Sequence, residues 1–140
     1  MTYRGDDIKR LIPQRYPIVM IDTAEERDGN SIATTLAVRQ DNYFVLPDGT
    51  LSETGLIEHI AQSSSALAGC RALAEQSLAP PVGIIGEIKY FVCHRRPGVG
   101  ELIETTATFN MSFGNVTMAT GQSMIGEEVI AEIQLKIFIQ

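Results

Sequence analysis

Residues 51–78 read LSETGLIEHIAQSSSALAGCRALAEQSL, and the reading of this stretch decides how the rest of the chain is arranged. It predicts one long helix. Ser52 suits the N-cap, where a side-chain oxygen takes up an amide of the first turn, and Glu53 adds negative charge at the positive end of the helix dipole. Leu56, Ile57, Ile60, Ala61, Ser64, Leu67, Ala68 and Arg71 recur at steps of three and four, so one face is apolar or small. The middle, Ser63 to Gly69, carries almost nothing bulky. A helix this slim admits another backbone at close range, as it would if a sheet curled around it. One carboxylate stands on it that the apolar pattern does not require: Glu58.

The flanks read mostly as strands. Asp7 to Leu11 suits a short helical turn stopped by Pro13. Tyr16 to Thr23 (YPIVMIDT) is an apolar run of strand length, and Asp28-Gly29 marks a hairpin. The return strand, SIATTLAV, sets Ile32, Thr34, Leu36 and Val38 on one face. In the loop before the helix, Pro47-Asp48-Gly49 has turn chemistry. Pro80-Pro81 closes the helix. From there the period is two: Val82 to Val92, with Gly83 and Gly86 as bulge markers, then Ile103, Thr105, Ala107, Phe109, Met111 and Phe113 alternating with polar residues. Gly114-Asn115 turns into Val116 to Ile125. After Gly126 the last strand sets Ile133, Leu135, Ile137 and Ile139 against Glu132, Gln134, Lys136 and Gln140. Two strands, one helix and four strands make an α+β chain. A single domain over residues 1–140 satisfies that order if one antiparallel sheet of about six strands wraps the helix, the hotdog arrangement.

Composition narrows the classes of function. A net charge of −6 argues against nucleic acid, which needs a basic face. Cys70 and Cys93 form neither a CxxC pair nor a metal spacing, and read as reduced thiols of a cytoplasmic protein. No run approaches membrane-spanning length. His59 and His94, with Glu58 or Cys93, make no recognisable ligand set, so no metal is implied.

Three segments carry a resemblance. Residues 12–22, IPQRYPIVMID, resemble the opening motif LPHRYPFLLVD of the β-hydroxyacyl-acyl-carrier-protein dehydratases of fatty-acid and polyketide synthesis, with Gln14 where that family has His. Leu56 to Gln62, LIEHIAQ, resembles its helix motif LIIEAMAQ and sets Glu58 on the catalytic acid. Phe91 to Leu102 is similar to its basic strand end and V-P-G-D turn. The family's G-H-F-P motif, which carries its second catalytic group, is missing: residues 43–49 read YFVLPDG and hold no His. In this the chain is similar to an outlying branch associated with aryl-polyene and related pigment clusters.

The resemblance implies a hotdog dehydratase acting on thioesters. Such chemistry needs a base for the C2 proton, an acid for the departing hydroxyl and fixed N–H donors for the enolate-like oxygen. Glu58, its pKa raised by desolvation beside an acyl tunnel, would be the acid. Glu53 and Thr54 would lend helix-tip amides, while Gln62 and Gln14 would contact substrate. Gln62, four residues on from Glu58, shares its helix face. The base has no candidate within the chain. His59 points about 100° away around the helix, and His94 lies on a strand end. Three readings stay open: a dehydratase completed by an unusual partner or by a His from a second subunit, a hotdog thioesterase, or a non-catalytic acyl-carrier-binding subunit. Lys89, Arg95 and Arg96 would dock an acyl carrier protein or acyl-CoA. No cofactor is implied beyond the substrate's own phosphopantetheine. A homodimer, a dimer of dimers or a pairing with a second hotdog subunit would cover the sheet edge.

Overall fold

In the computed structural model, which describes residues 1–77 and 79–139, the alternating segments pair as their period requires. The elements are β1 (Thr2–Arg4), a 3₁₀ helix (Gly5–Arg10), β2 (Thr23–Glu26), β3 (Ser31–Ala37), α1 (Glu53–Ala74), β4 (Gly83–Cys93), β5 (Leu102–Phe113), β6 (Val116–Ile125) and β7 (Glu128–Ile139). They form one sheet in the order β1-β2-β3-β5-β6-β7-β4, antiparallel throughout. The sheet has seven strands rather than about six: the first expected strand moves to Thr23–Glu26, and β1 adds a short edge that the polar N-terminus concealed.

Helix α1 lies against the sheet, and its slim middle serves the close approach. A Cβ on Gly121 of β6 would collide with the Ile60 side chain, and one on Gly69 would collide with the Leu11 backbone. Every residue from His59 to Cys70 is buried. The helix is therefore covered all round, by the sheet on one side and by the chain around Leu11, Ile12, Met20 and Ile21 on another, rather than on the single face that spacing suggested. Its buried serines are satisfied locally: Ser63 Oγ donates to the His59 carbonyl at 2.8 Å and lies 2.7 Å from Thr34 Oγ1, and Ser64 Oγ donates to the Ile60 carbonyl. Ser52 is the N-cap, accepting from the Gly55 amide at 3.0 Å. The helix ends at Ala74, where Gln76 turns to φ 64° and the Gln76 and Ser77 amides close on the Leu73 and Ala72 carbonyls. Leu78, the expected end, lies outside the described residues, as does Gln140.

Three expectations fail. Tyr16 to Asp22 is not a strand; the chain there crosses α1 with no strand partner before the Asp22 amide reaches the Thr35 carbonyl of β3 (2.8 Å), and helix side chains replace the missing ladder. Gln62 Oε1 accepts from the Met20 amide (2.7 Å), Gln62 Nε2 donates to the Ile18 carbonyl (2.9 Å), and His59 Nδ1 lies 2.6 Å from the Met20 carbonyl. In β5, Met111 and Phe113 are exposed instead of buried. A bulge between Phe109 and Met111 inserts one residue, which flips the alternation so that Ser112 pairs inward with buried Thr117. β4 has two register shifts, one at Gly86 between Ile85 and Glu87 and one at Lys89 between Ile88 and Tyr90, and none at Gly83.

Cys70 and Cys93 are free thiols. Among the described residues no helix is long and apolar enough to cross a membrane, and no cluster of three or more metal-ligating side chains occurs.

Candidate active site

Consecutive residues of α1 face opposite environments. Glu58 is half-buried and lines a cleft of about 250 Å³ between the helix and the start of β4, together with Gln14, Ala61, Gln62, Ser65, Gly83, Ile84, Ile85 and Ile137. Among the described residues it is the only ionisable side chain there. Apart from Gln14 and Gln62 the walls are small or apolar, and a Cβ on Gly83 would come within 2.8 Å of Ser65 Oγ, so this glycine keeps the cleft open. Gln62 Nε2 donates to Glu58 Oε1 at 2.7 Å, orienting the carboxylate. Gln62 thus serves at once as the carboxylate's partner and as a core amide. Both of its N–H groups are committed, one to Glu58 and one to Ile18.

His59 looks the other way. It is completely buried, with Nδ1 on the Met20 carbonyl and Nε2 2.7 Å from Thr105 Oγ1, which lies 2.6 Å from Ser123 Oγ. Burial pushes its pKa down to about 4, against the smaller opposing pull of the Met20 carbonyl and Asp22. A neutral imidazole with both nitrogens engaged braces the structure and is not available as the base. His94 is exposed, 3.2 Å from Glu132.

The remaining predicted residues do not converge on Glu58. Glu53 and Thr54 are exposed at the helix tip, and neither lines the cleft. Their amides are the ones that Ser52 leaves uncapped. The basic cluster is largely spent on internal pairs. Arg95 forks between Glu101 (2.8 Å) and Glu128 (2.9 Å), its bonds holding both carboxyls below their usual range. Arg96 braces the loop before the helix through Asp48 Oδ2 (3.0 Å) and Thr50 Oγ1 (3.0 Å), while Asp48 Oδ1 accepts from the Thr50 amide and hydroxyl. This closes the Pro47-Asp48-Gly49 turn as its residues demand. Lys89 is exposed on β4, apart from these two. Docking through Arg95 and Arg96 would have to break the pairs they already make. Sequence reasoning missed the cleft walls Ser65, Gly83, Ile84 and Ile85, for which the only signal was the absence of bulk at Ser65 and Gly83.

The model of the ApeP-like family, described as ApeP dehydratase, matches residues 6–140. The chain belongs to this family. The ApeP-like chain is also 26% identical over 135 residues to the 3-hydroxyacyl-[acyl-carrier-protein] dehydratase FabZ of Natranaerobius thermophilus, covering 93% of this chain and 92% of that protein. Among solved structures it superposes on the dehydratase heterocomplex ApeI:P from Xenorhabdus doucetiae with a TM-score of 0.87 at 17% identity, covering 95% and 90% of the two chains. A hypothetical thioesterase from Streptococcus pneumoniae, solved with coenzyme A, matches with a TM-score of 0.65 at 10% identity over 84% of each chain. At these identities the structures establish the hotdog fold. The dehydratase assignment comes from the family, and the thioesterase likeness is one of fold.

Proposed function

We propose that this ApeP-like chain dehydrates 3-hydroxyacyl thioesters delivered on the phosphopantetheine arm of an acyl carrier protein, with Glu58 as the acid. The observation that carries the reading is the position of Glu58 as the only ionisable side chain, among the described residues, of a cleft whose other polar side chains are Gln14, Gln62 and Ser65, with Gln62 orienting it. The reaction removes a proton from C2 and the hydroxyl from C3. A proton from Glu58 lets the hydroxyl depart as water while the C2–C3 double bond forms.

The base comes from a second subunit. His59 is locked in the core and His94 lies outside the cleft, so this chain offers no imidazole. Strand β4 is the site for such a partner. It is 11 residues long, hydrogen-bonded to β7 on one side only among the described residues, and it exposes Ile84 at the cleft and Ile88 and Tyr90 further along the strand. A long apolar edge calls for another strand. The heterocomplex named for the ApeI:P structure supports a second hotdog subunit of different sequence.

The test is to incubate 3-hydroxyacyl-carrier protein with the purified chain, and with the chain co-purified with its hotdog partner from the native host. Enoyl product is expected from the complex and not from the chain alone, and Glu58→Gln abolishes it. Full activity of the Glu58→Gln complex rejects the acid role. Release of free carrier thiol in place of enoyl product would move the protein to the thioesterases. Carrier binding with neither reaction would make it a non-catalytic subunit.

A further inference from the structure

One side-chain atom among the described residues is buried with no hydrogen-bond partner: Gln14 Oε1. It belongs to a residue lining the same cleft as Glu58. Polar atoms sealed from water are almost always paired, so an orphan acceptor marks a place where a donor is brought in. Among the described residues no group of the cleft bonds to it, the Ser65 hydroxyl included. The Gln62 amide, the cleft's only other side-chain N–H group, is committed to Ile18 and Glu58.

Gln14 is also held in place. The Arg15 guanidinium folds back on the main chain, donating to the Ile12 and Gln14 carbonyls at 2.8 Å each and to the Lys9 carbonyl at 3.2 Å. Arg15 thereby ties the Gln14 backbone to the end of the 3₁₀ helix, so the side chain enters the cleft from a fixed anchor. Opposite, Glu58 has one oxygen on Gln62 and its second, Oε2, left for a ligand.

We infer that Gln14 Oε1 accepts the hydrogen of the substrate's C3 hydroxyl, holding that hydroxyl between itself and Glu58. This rests on the dehydratase reading and assigns a role within it. A hydroxyl has one proton to give and lone pairs to receive, which matches an orphan acceptor beside an acid. Gln14 accepts a hydrogen bond from the proton the hydroxyl already has and keeps, and Glu58 gives the second proton. The oxygen leaves as water, the base keeps the C2 proton, and Gln14 is unchanged. Because the enoyl product has no C3 hydroxyl, Gln14 favours substrate over product and hydroxylated over saturated chains.

The experiment measures binding apart from turnover. In the Glu58→Gln complex with its partner subunit, dissociation constants are determined by calorimetry for 3-hydroxyhexanoyl-pantetheine and hexanoyl-pantetheine, with and without Gln14→Met. The hydroxylated thioester is expected to bind more tightly than the saturated one, and Gln14→Met to erase roughly tenfold of that preference while the saturated thioester binds as before. Gln14→Glu, which keeps an acceptor, retains the preference; this and an unchanged unfolding midpoint separate recognition from loss of fold. Equal loss for both thioesters, or no loss for either, overturns the inference. If the wild-type complex makes enoyl product and the preference survives Gln14→Met, the Gln14 role fails and the dehydratase reading stands. If no product forms but Gln14 still governs the preference, the reverse holds.

Discussion

Glu58 and His59 are neighbours in sequence and opposites in environment. His59 has every polar atom matched, since one nitrogen meets the Met20 carbonyl and the other meets Thr105, and no solvent reaches it. Glu58 is matched on one oxygen only and opens into a cleft. Both are polar residues on a helix otherwise built for burial, so composition does not tell them apart. What does is whether the surroundings complete their hydrogen bonds. A completed group is architecture; an incomplete one beside open volume is available for chemistry.

The sharpest way to break this contrast is to exchange the two outcomes by mutation. Glu58→Gln should lower kcat of the assembled enzyme by two to four orders of magnitude, the usual range for removing a general acid, while the denaturation midpoint stays within error. His59→Leu should do the opposite. It strands the Met20 carbonyl and Thr105 in the core and costs about 3 kcal/mol in urea unfolding. It should also alter the pH profile of stability. The folded-state pKa of His59, about 4, lies below the unfolded value near 6.5, so the unfolded chain binds the extra proton. Stability from the neutral imidazole is therefore complete above pH 6.5 and drains away as pH falls towards 4, by about 3 kcal/mol in all. Unfolding curves of wild type and His59→Leu across that window should converge as pH falls; parallel curves would mean that His59 is not buried neutral.

Gln62 joins the two regions, so Gln62→Leu should show both effects at reduced size. About 2 kcal/mol of stability is expected to go with the Met20 and Ile18 bonds, and kcat should fall as Glu58 loses its orienting partner. Thr105→Val, which touches only the His59 side, should cost about 1 kcal/mol and leave kcat unchanged. A kcat effect there would show that the two sides of the helix are coupled.

Much of this architecture is legible in the residues because it rests on local pattern. The hairpin at Asp28-Gly29, the inward set Ile32, Thr34, Leu36 and Val38, the Ser52 cap and the Asp48 turn all emerge as read. Period and turn chemistry act within a few residues, so a single chain displays them. Tyr16 to Asp22 misleads for the converse reason. Its apolar run has strand length, yet its backbone partners are the side chains of Gln62 and His59, some 40 positions away, and no local rule reports them. Met111 and Phe113 mislead because one inserted residue changes the phase of a strand without changing its composition.

The site divides in the same way. Glu58 and Gln62 were visible as an i, i+4 pair on a helix, and their hydrogen bond follows from helical geometry alone. Arg95 and Arg96 looked like a docking patch because sequence shows charges without their counter-charges. Glu101, Glu128 and Asp48 reach them only through the fold.

The linear order of residues by itself determined a long slim helix, strands of alternating side chains around it, and one acid on the helix with no structural reason to be there. Only the folded chain decided that the adjacent imidazole is sealed in, that the acid opens on a cleft, and that an unpaired amide oxygen waits in that cleft. The physical reason is range: periodicity and capping act within a turn or two of backbone, whereas hydrogen-bond completion is a property of whatever distant segments happen to close around a side chain.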